Sequence, residues 1–424
     1  MTITPWEDAL PNIWPIARLK YVCQAVGGGT PDKGRPEYWG GDIPWVSPKD
    51  MKTNRIVDTE DHISEEGLQN SATQIVPSNA VLIVMRSGIL RHSIPVAINT
   101  LPVALNQDMR ALLPDERLEP KYLAWFIEGL QDRLLKSWSK VGATVESLES
   151  DLVGDTLVPI PPKSEQLAII RLLDAETAHI ESLIAAKQQL LDLLAEKRQT
   201  VTELAVTQGL SSSSRMRESG VAWLGEVPQH WQIERARWLF RERDLRSETG
   251  DEELLTVSHI TGVTPRSDKD VNMFQAESNE GYKICFPGDL VINTLWAWMG
   301  AMGVAPQKGI VSPSYHVYEP VCRLEPAYID ALVRVPVFAQ EVTRYSKGVW
   351  SSRLRLYPEG FFEVYLPVPP LSEQRAIVDY IAKQTNKIDA LRSAAEETIK
   401  LLRERRAALI AATVTGQITL ESTA

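Results

Sequence analysis

The chain contains the same segment twice, and this internal repeat constrains its fold more than any other feature. Residues 159–198 and residues 367–406 align without a gap at an offset of 208, and both carry the motif PPxSEQ. Upstream, residues 11–16 align with residues 228–233 at an offset of 217, so the stretch between these anchors is nine residues shorter in the second copy. Each half is therefore a divergent block of domain size followed by a near-identical block.

Periodicity predicts that the near-identical block is helical in both copies. Apolar and long basic side chains recur at alternating steps of three and four residues, as on the buried face of a coiled coil. Ser164 and Ser372 follow proline pairs and are predicted to cap the helix starts with their hydroxyl groups. The predicted contact positions are Ile180, Leu183, Lys187, Leu190, Leu194, Lys197, Val201 and Leu204 in the first copy, and Ile388, Leu391, Ala395, Thr398, Leu402, Arg405, Leu409 and Ala412 in the second.

Two such helices packed antiparallel would bury both contact faces, because the stems of Lys197 and Arg405 can extend past the contact. The stretch from Ile180 to Leu204 would span about 36 Å at roughly 1.5 Å per residue. One turn of B-DNA is about as long, roughly 34–36 Å. An antiparallel pair would relate the two halves by a pseudo-twofold axis. A single chain could then meet two short DNA elements separated by a spacer, as a dimer does.

The divergent blocks mix strand-like runs with shorter helical stretches. In the first block, residues 80–84 and 94–98 are predicted strands, and residues 122–136 form a predicted amphipathic helix. In the second block, residues 289–292 match the first strand and residues 328–335 match the helix. We expect two compact domains of the same α/β class, more closely α+β, with different loops.

Charge and composition limit the functions that the chain could have. The net charge of −10 argues against a protein that binds nucleic acid tightly by itself, since such binding depends on Lys and Arg neutralising phosphates. Basic residues would have to cluster locally, or partners would have to hold the DNA. The sequence contains no apolar run of membrane-spanning length and does not begin like a signal peptide, so a cytoplasmic location is expected. The three cysteines lack the spacing of a zinc site, and no metal site is expected.

Three sequence features resemble those of one known family. The segments GGGTPDKGRPEYWGGDIPWVSPKDM (27–51) and SGVAWLGEVPQHWQIERARWLF (219–240), together with the two PPxSEQ helices, are similar to specificity subunits of type I restriction-modification systems. The resemblance covers essentially the whole chain. It implies two target-recognition domains, each reading one half of a split double-stranded DNA target. It also implies that the helices set the spacer and dock two methyltransferase (modification) subunits, within a complex that includes restriction/translocase subunits.

This resemblance and the repeat together predict five segments. The fold expected is two similar globular target-recognition domains separated by two long helices that form an antiparallel coiled coil. The segments are residues 1–160 for the first target-recognition domain, 161–210 for the first helix, 211–218 for a Ser-rich linker, 219–368 for the second target-recognition domain and 369–424 for the second helix.

No catalytic activity is expected of the chain itself. The sequence has neither a methyltransferase tetrad like Asn-Pro-Pro-Tyr nor a GxxxxGK[ST] phosphate loop, so S-adenosylmethionine, ATP and Mg are expected on partner subunits. Asp115, Glu119 and Lys121 formally match a nuclease pattern, but the two carboxylates are only four residues apart. The alternative interpretation is a coiled-coil adaptor whose two domains bind protein, which the acidic net charge favours.

Candidate DNA-binding residues are polar, basic or aromatic side chains in predicted loops and at predicted strand ends. The most DNA-like stretch is SKGVWSSRLR (346–355), which combines small hydroxyls, arginines and an aromatic ring. The tryptophans of the shared segment around residue 223 are expected to pack within the protein instead, and Tyr38, Trp39 and Trp45 are expected to be core or turn-packing residues rather than base stackers. The candidates are Thr30, Lys33, Arg35, Ser47, Lys49, Lys52, Arg86, Arg91, Asn106, Gln107 and Lys140 in the first domain, and Arg266, Trp296, Trp298, Ser314, His316, Lys347, Ser351, Arg353 and Arg355 in the second.

Overall fold

A computed structural model describes residues 14–140, 145–211, 213–268, 278–348 and 354–418. The chain divides into two compact units. Unit 1 contains residues 1–187 and 397–424, and unit 2 contains residues 188–396. Each unit therefore combines one divergent block with the first part of one long helix and the last part of the other. Within the described ranges, no helix is both long enough and apolar enough to cross a membrane.

Unit 1 is an α+β domain of short strands. Its largest sheet has the order β2-β9-β6-β7-β4, in which only the β4–β7 pair is parallel, and a smaller sheet has the order β5-β3-β8. The elements are β1 (Ile16–Arg18), β2 (Cys23–Gly27), β3 (Trp39–Val46), β4 (Arg55–Ile56), β5 (Asp61–Ile63), α1 (Glu65–Gln69), β6 (Val81–Val84), β7 (Val96–Asn99), β8 (Ala104–Leu105), β9 (Met109–Pro114), α2 (Pro120–Gly129), α3 (Gln131–Trp138), α4 (Ser150–Asp155), β10 (Leu157–Pro159) and α5 (Lys163–Gln208).

Unit 2 repeats this plan with shorter strands. Its main sheet has the order β14-β21-β18-β19, and β15-β16 and β17-β20 form separate antiparallel pairs. The elements are β11 (Met216–Glu218), β12 (Glu226–Pro228), β13 (Gln232–Arg235), α6 (Ala236–Leu239), β14 (Phe240–Glu242), β15 (Leu255–Ser258), β16 (Gly262–Pro265), β17 (Lys283–Cys285), β18 (Leu290–Asn293), β19 (Met302–Val304), β20 (Gly309–Val311), β21 (Tyr315–Pro320), α7 (Pro326–Val333), α8 (Pro336–Tyr345), α9 (Pro358–Phe361), β22 (Tyr365–Val368) and α10 (Leu371–Val414).

The two divergent blocks share one topology. The sheet order β2-β9-β6-β7 of unit 1 corresponds strand for strand to β14-β21-β18-β19 of unit 2. In both units a strand at the start of the block pairs antiparallel with the strand just before the long helix, β1 with β10 and β13 with β22. The central strands β6 and β18 are buried along their whole length. The prediction of two copies of one α+β fold is confirmed.

The predicted helix over residues 122–136 is wrong in one respect, because it is two helices. α2 ends at Gly129, and Leu130 leaves the helical region with φ −109° and ψ 12° before α3 begins. The last part of α10 packs closely at this break. A Cβ on Gly129 would lie only 2.8 Å from the Cγ2 atom of Ile410, so this position requires glycine.

A buried tyrosine hydroxyl fixes the last turn of a long helix in each unit. In unit 1, Tyr122 donates a hydrogen bond to the carbonyl of Val414 at 3.3 Å. In unit 2, Tyr328 donates to the carbonyl of Val206 at 3.1 Å and also lies 3.2 Å from the carbonyl of Pro367. A helix end leaves its last carbonyls without intrahelical partners, and these tyrosines satisfy one of them in each case. Burial raises the pKa of Tyr328 well above its usual value.

A glutamine of the repeated motif holds each helix start. The Gln166 side chain donates to the carbonyl of Pro161 at 2.8 Å and accepts the Glu119 N–H at 2.7 Å. Gln374 donates to Pro369 at 2.9 Å in the same way. The predicted capping role of the serines is wrong, because the helices begin one residue earlier and the serines are already helical. The longer glutamine side chain bonds both to the backbone just before the helix, at Pro161, and to the backbone of the domain, at Glu119. A serine hydroxyl is too short to make both bonds.

The two long helices contact each other within each unit, and ion pairs mark these contacts. In unit 1, Arg406 pairs with Glu181 at 2.9 Å and with Glu128 at 2.7 Å. In unit 2, Arg198 pairs with Asp389, at the positions that correspond in the repeat. The prediction that the helices pair is confirmed for these two contacts.

Six of the predicted contact positions are wrong because their side chains are exposed, namely Leu183, Leu190, Lys197 and Leu204 on α5 and Leu391 and Arg405 on α10. Leu183, Leu190 and Leu391 are exposed by 38%, 37% and 56%. The sequence was ambiguous, since residues 183 and 184, and likewise 190 and 191, are all apolar. Complete burial of Ile169 and Leu173 in unit 1 sets the register of α5. The buried or half-buried positions at this spacing include Ile180, Ile184, Lys187, Leu191, Leu194, Arg198, Val201 and Ala205 on α5, and Ile388, Arg392, Ala395, Ile399, Leu402, Arg406, Leu409 and Thr413 on α10, and the predicted positions Thr398 and Ala412 are half-buried as well.

Substituting Tyr328→Phe should lower the free energy of unfolding by about 1–3 kcal/mol, because the buried carbonyl of Val206 loses its donor while the aromatic ring remains. Tyr380→Phe is the matched control, since Tyr380 lies on α10 and is 37% exposed. Urea denaturation followed by circular dichroism measures both variants. Equal stability of the two variants would contradict the role assigned to the Tyr328 hydroxyl.

Candidate nucleic-acid interface

Three segments of unit 1 meet where β6 ends. The Met85 N–H donates to the carbonyl of Asp108 at 2.7 Å, and the Leu148 N–H donates to the carbonyl of Met85 at 2.8 Å. Lys140 joins this group through a hydrogen bond from its N–H to the carbonyl of Ser147 at 2.9 Å. We call residues 85–92, 106–108, 139–140 and 145–148 loop cluster 1. It brings together five sequence-predicted candidates, namely Arg86, Arg91, Asn106, Gln107 and Lys140.

Both arginines of loop cluster 1 are paired with carboxylates. Arg86 donates to Asp108 at 2.7 Å, and Arg91 pairs with Glu146 at 2.5 Å. The hydrogen bond from Arg91 lowers the pKa of Glu146. Sequence reasoning missed these two carboxylates, because an acid far along the chain gives no sign of its partner. The arginines are ordered donors rather than freely moving charges.

A second group of unit 1 candidates surrounds β3. Lys33, Lys49 and Asn106 line a cavity of about 450 Å³ together with Trp39 and Trp45. Lys49 pairs with Asp61 at 2.8 Å, and this hydrogen bond raises the pKa of Lys49. Because Asn106 belongs to both groups, the cavity adjoins loop cluster 1.

The remaining unit 1 candidates differ in whether their side chains are free to contact DNA. The Ser47 hydroxyl is buried and donates to Asp50 at 2.9 Å, so it is engaged within the domain. The Thr30 hydroxyl donates to Gln107. Arg35 lies over the ring of Tyr38, with 5.6 Å from its guanidinium carbon to the ring centre, and Lys52 is exposed.

Unit 2 forms an equivalent cluster where β18 ends. The Leu356 N–H donates to the carbonyl of Thr294 at 3.3 Å, and the Thr294 hydroxyl donates to the carbonyl of Ser314 at 2.6 Å. Lys347 and Arg355 exchange backbone hydrogen bonds of 2.9 Å. We call residues 294–300, 312–316, 346–348 and 354–356 loop cluster 2. It contains six candidates, namely Trp296, Trp298, Ser314, His316, Lys347 and Arg355.

Loop cluster 2 presents aromatic rings where loop cluster 1 presents arginines. Trp296 is 50% exposed and stacks on Trp298, with ring centres 6.2 Å apart and planes 22° apart. His316 is partly buried and bonds to Glu242 at 2.7 Å. Arg266 lies outside the cluster, in a short helical turn after β16. Ser351 and Arg353 lie outside the described residues.

Of the tryptophans expected to pack within the protein, Trp45 and Trp231 are buried, and Trp39 and Trp223 are half-buried. Trp45 is 4% exposed and packs edge-on against Trp39 at 5.1 Å, and Tyr38 is also buried. Trp231 is buried, and Trp223 packs edge-on against a phenylalanine of α8.

The residues of the formal nuclease pattern are dispersed among separate ion pairs. Asp115 pairs with Arg117 at 2.6 Å, and this interaction lowers the pKa of Asp115. Glu119 and Lys121 each bond to a residue of α5 instead. In the part of the chain that the structure describes, no group of His, Cys, Asp and Glu is arranged to hold a metal ion.

Known proteins share both the sequence and the fold of this chain. The family model of the type I restriction modification DNA specificity domain matches residues 11–192. The chain is 40% identical over 157 residues to the specificity subunit of the type I restriction enzyme EcoR124I/EcoR124II of Escherichia coli, which covers 37% of this chain and 39% of that protein. It is 29% identical over 189 residues to the MjaIX specificity subunit of Methanocaldococcus jannaschii, covering 44% and 42%. The matched segments thus span about two fifths of these curated relatives.

Solved structures share the fold over nearly the whole chain. A chain from a type I R-M system, studied for its assembly and conformational transition, has a TM-score of 0.70 at 17% identity and covers 96% of this chain and 99% of its own. The HsdS subunit of Thermoanaerobacter tengcongensis has a TM-score of 0.58 at 18% identity, covering 99% and 100%. The chain therefore shares its fold with these two proteins. In sequence, residues 11–192 are similar to the type I restriction modification DNA specificity domain.

Substituting Lys347→Ala should weaken DNA binding by a similar factor on all sequences and reduce the slope of log K against log salt by about 0.9, as expected for one lost phosphate contact. Lys387→Ala on α10 is the control and should change neither quantity. Titration of the complex with labelled DNA at several salt concentrations measures both. A sequence-dependent loss in Lys347→Ala would contradict a phosphate contact.

Proposed function

We propose that the chain is the DNA sequence-specificity subunit of a type I restriction-modification complex and has no catalytic activity of its own. Each target-recognition domain reads one half of a split double-stranded DNA target. The observation that carries this proposal is the pair of loop clusters. They occupy the same place in two copies of one fold, yet after the central strand loop cluster 1 presents Arg86 and loop cluster 2 presents the stacked Trp296 and Trp298. Two domains that share one fold but differ in the side chains of their loop clusters would suit two half-sites of different sequence.

The family match supports the DNA-reading role of the first domain, because its model describes a DNA specificity domain. The net charge of −10 remains compatible with this role, since basic side chains gather locally in both loop clusters and partner subunits would supply further phosphate contacts. In this proposal, S-adenosylmethionine, ATP and Mg bind to those partners. The chain would direct the partners' chemistry to a chosen sequence.

The long helices would set the spacer and dock the modification subunits. Their exposed leucines support this part of the proposal, because large apolar side chains on a helix surface are typical of protein contacts. Leu183 and Leu190 on α5, and Leu391 and Leu401 on α10, are all exposed by more than a third. Both helices carry such exposed leucines, so one chain could offer a docking surface to each of two modification subunits.

Exchanging residues 14–155 for the corresponding domain of a relative should change only one half of the methylated motif. The chain is co-expressed with its modification subunit, and modified adenines are mapped across a genome. Exchanging residues 236–361 is the matched control and should change only the other half. Methylation without any sequence dependence would favour the adaptor interpretation instead.

Substituting Leu190→Asp should remove much of the co-purification with the modification subunit while leaving the melting temperature nearly unchanged, because the side chain is exposed and a charge opposes apolar docking. Gln189→Asp, also exposed on α5, adds the same charge one residue away and serves as control. Loss of binding in both variants would indicate a general charge effect rather than a contact of Leu190.

A further inference from the structure

One arginine of loop cluster 1 is held more firmly than a surface arginine usually is. Arg86 directly follows Met85 at the end of β6, and its backbone pairs with Ser147. Its N–H also donates to the carbonyl of Asp108 at 3.3 Å. The backbone that carries this side chain is therefore fixed on two sides by hydrogen bonds.

The guanidinium of Arg86 is fixed as well. Its Nε atom donates to the Asp108 carboxylate at 2.7 Å. Asp108 is itself anchored, since its N–H donates to the Asn106 side chain at 2.5 Å and its carbonyl accepts from Met85. The carboxylate is 20% exposed, whereas the arginine side chain is 56% exposed. The acid thus holds the inner side of the guanidinium, and the outer nitrogens are left for an external partner.

Guanine is the base that this arrangement fits best. It presents two acceptors, N7 and O6, on the major-groove edge, and a bidentate arginine is the commonest specific contact to that pair. An arginine fixed through Nε keeps both terminal nitrogens as donors and loses less side-chain entropy on binding. Within the described residues, Asp108 alone bonds to this guanidinium.

We propose that Arg86, positioned by Asp108, reads a guanine in the half-site of the first target-recognition domain. This inference rests on the proposed function and adds a base and a residue to it. Unit 2 has no arginine at the corresponding place, because Thr294, Leu295 and Trp296 follow β18 there. The same contact is therefore confined to one half of the target.

Arg91 is the natural comparison within the same cluster. It also pairs with a carboxylate, that of Glu146, but it is 66% exposed and lies at the end of the short helical turn Gly88–Arg91 rather than at a strand end. An arginine placed in this way suits a phosphate contact, which carries no sequence information. Loss of the Arg86 side chain should therefore change sequence specificity, whereas loss of the Arg91 side chain should weaken DNA binding without changing the sequence that is recognised.

The test is a methylation map of Arg86→Ala, co-expressed with the modification subunit. Methylation should extend to other bases at one guanine position of the first half-site, with discrimination there reduced about 5- to 150-fold, as for one lost bidentate contact. Arg86→Lys keeps the charge but not the two-donor fork, so it should relax the same position. Asp108→Asn should relax it to a smaller extent. Arg91→Ala should lower methylation of an unchanged motif.

Three results would overturn the inference. The first is a uniform loss of methylation with an unchanged motif in Arg86→Ala and Arg86→Lys. The second is a first half-site without a guanine in either strand. The third is relaxation by Arg91→Ala at the same position. A wild-type chain without any sequence-dependent methylation is a different result, since it would reject the proposed function and the inference with it. Circular dichroism of each variant shows whether the fold is retained.

Discussion

The burial of each long helix end in a domain is the interaction on which the rest of the structure depends. In each unit a tyrosine hydroxyl, from Tyr122 or Tyr328, donates to a carbonyl in the last turn of a helix that begins elsewhere in the sequence. A single buried hydrogen bond of this kind contributes only about 1 kcal/mol net, but leaving its acceptor unpaired costs more. The close contact at Gly129 and the ion pairs of Arg406 act at the same place in unit 1.

Because the end of each long helix packs in the unit of the other divergent block, neither block forms its hydrophobic core from its own stretch of chain alone. The first part of the adjacent helix is held by the motif glutamine, Gln166 or Gln374, and the last part of the other helix completes the core. The divergent loops lie at the strand ends, where they do not take part in these contacts. Loop chemistry can therefore vary while the packing is kept, as the contrast between Arg86 and Trp296 illustrates.

The carboxylates of loop cluster 1 offer a physical explanation of how a chain with a net charge of −10 could carry the proposed DNA-reading role. Asp108 and Glu146 do not repel DNA as isolated charges, because each is neutralised by an arginine of the same cluster. An arginine that is already held by a carboxylate loses less side-chain entropy when it binds a further partner. Net charge measured over a whole chain is consequently a poor guide to a local surface that is organised by ion pairs.

The sequence by itself determined the repeat, the helical nature of the repeated block, the α+β class of both divergent blocks and the core positions of Trp45 and Trp231. These depend on periodicity and composition, which are local. Tertiary structure decided which face of the helices is buried, because Leu183 and Ile184 are equally apolar and only the packing of Ile169 and Leu173 distinguishes them. It also decided which candidate side chains are held by ion pairs, since the carboxylate partners of Arg86 and Arg91 lie 22 and 55 residues further along the chain. Contacts between residues distant in sequence leave no pattern in a single chain, and these contacts form the candidate site.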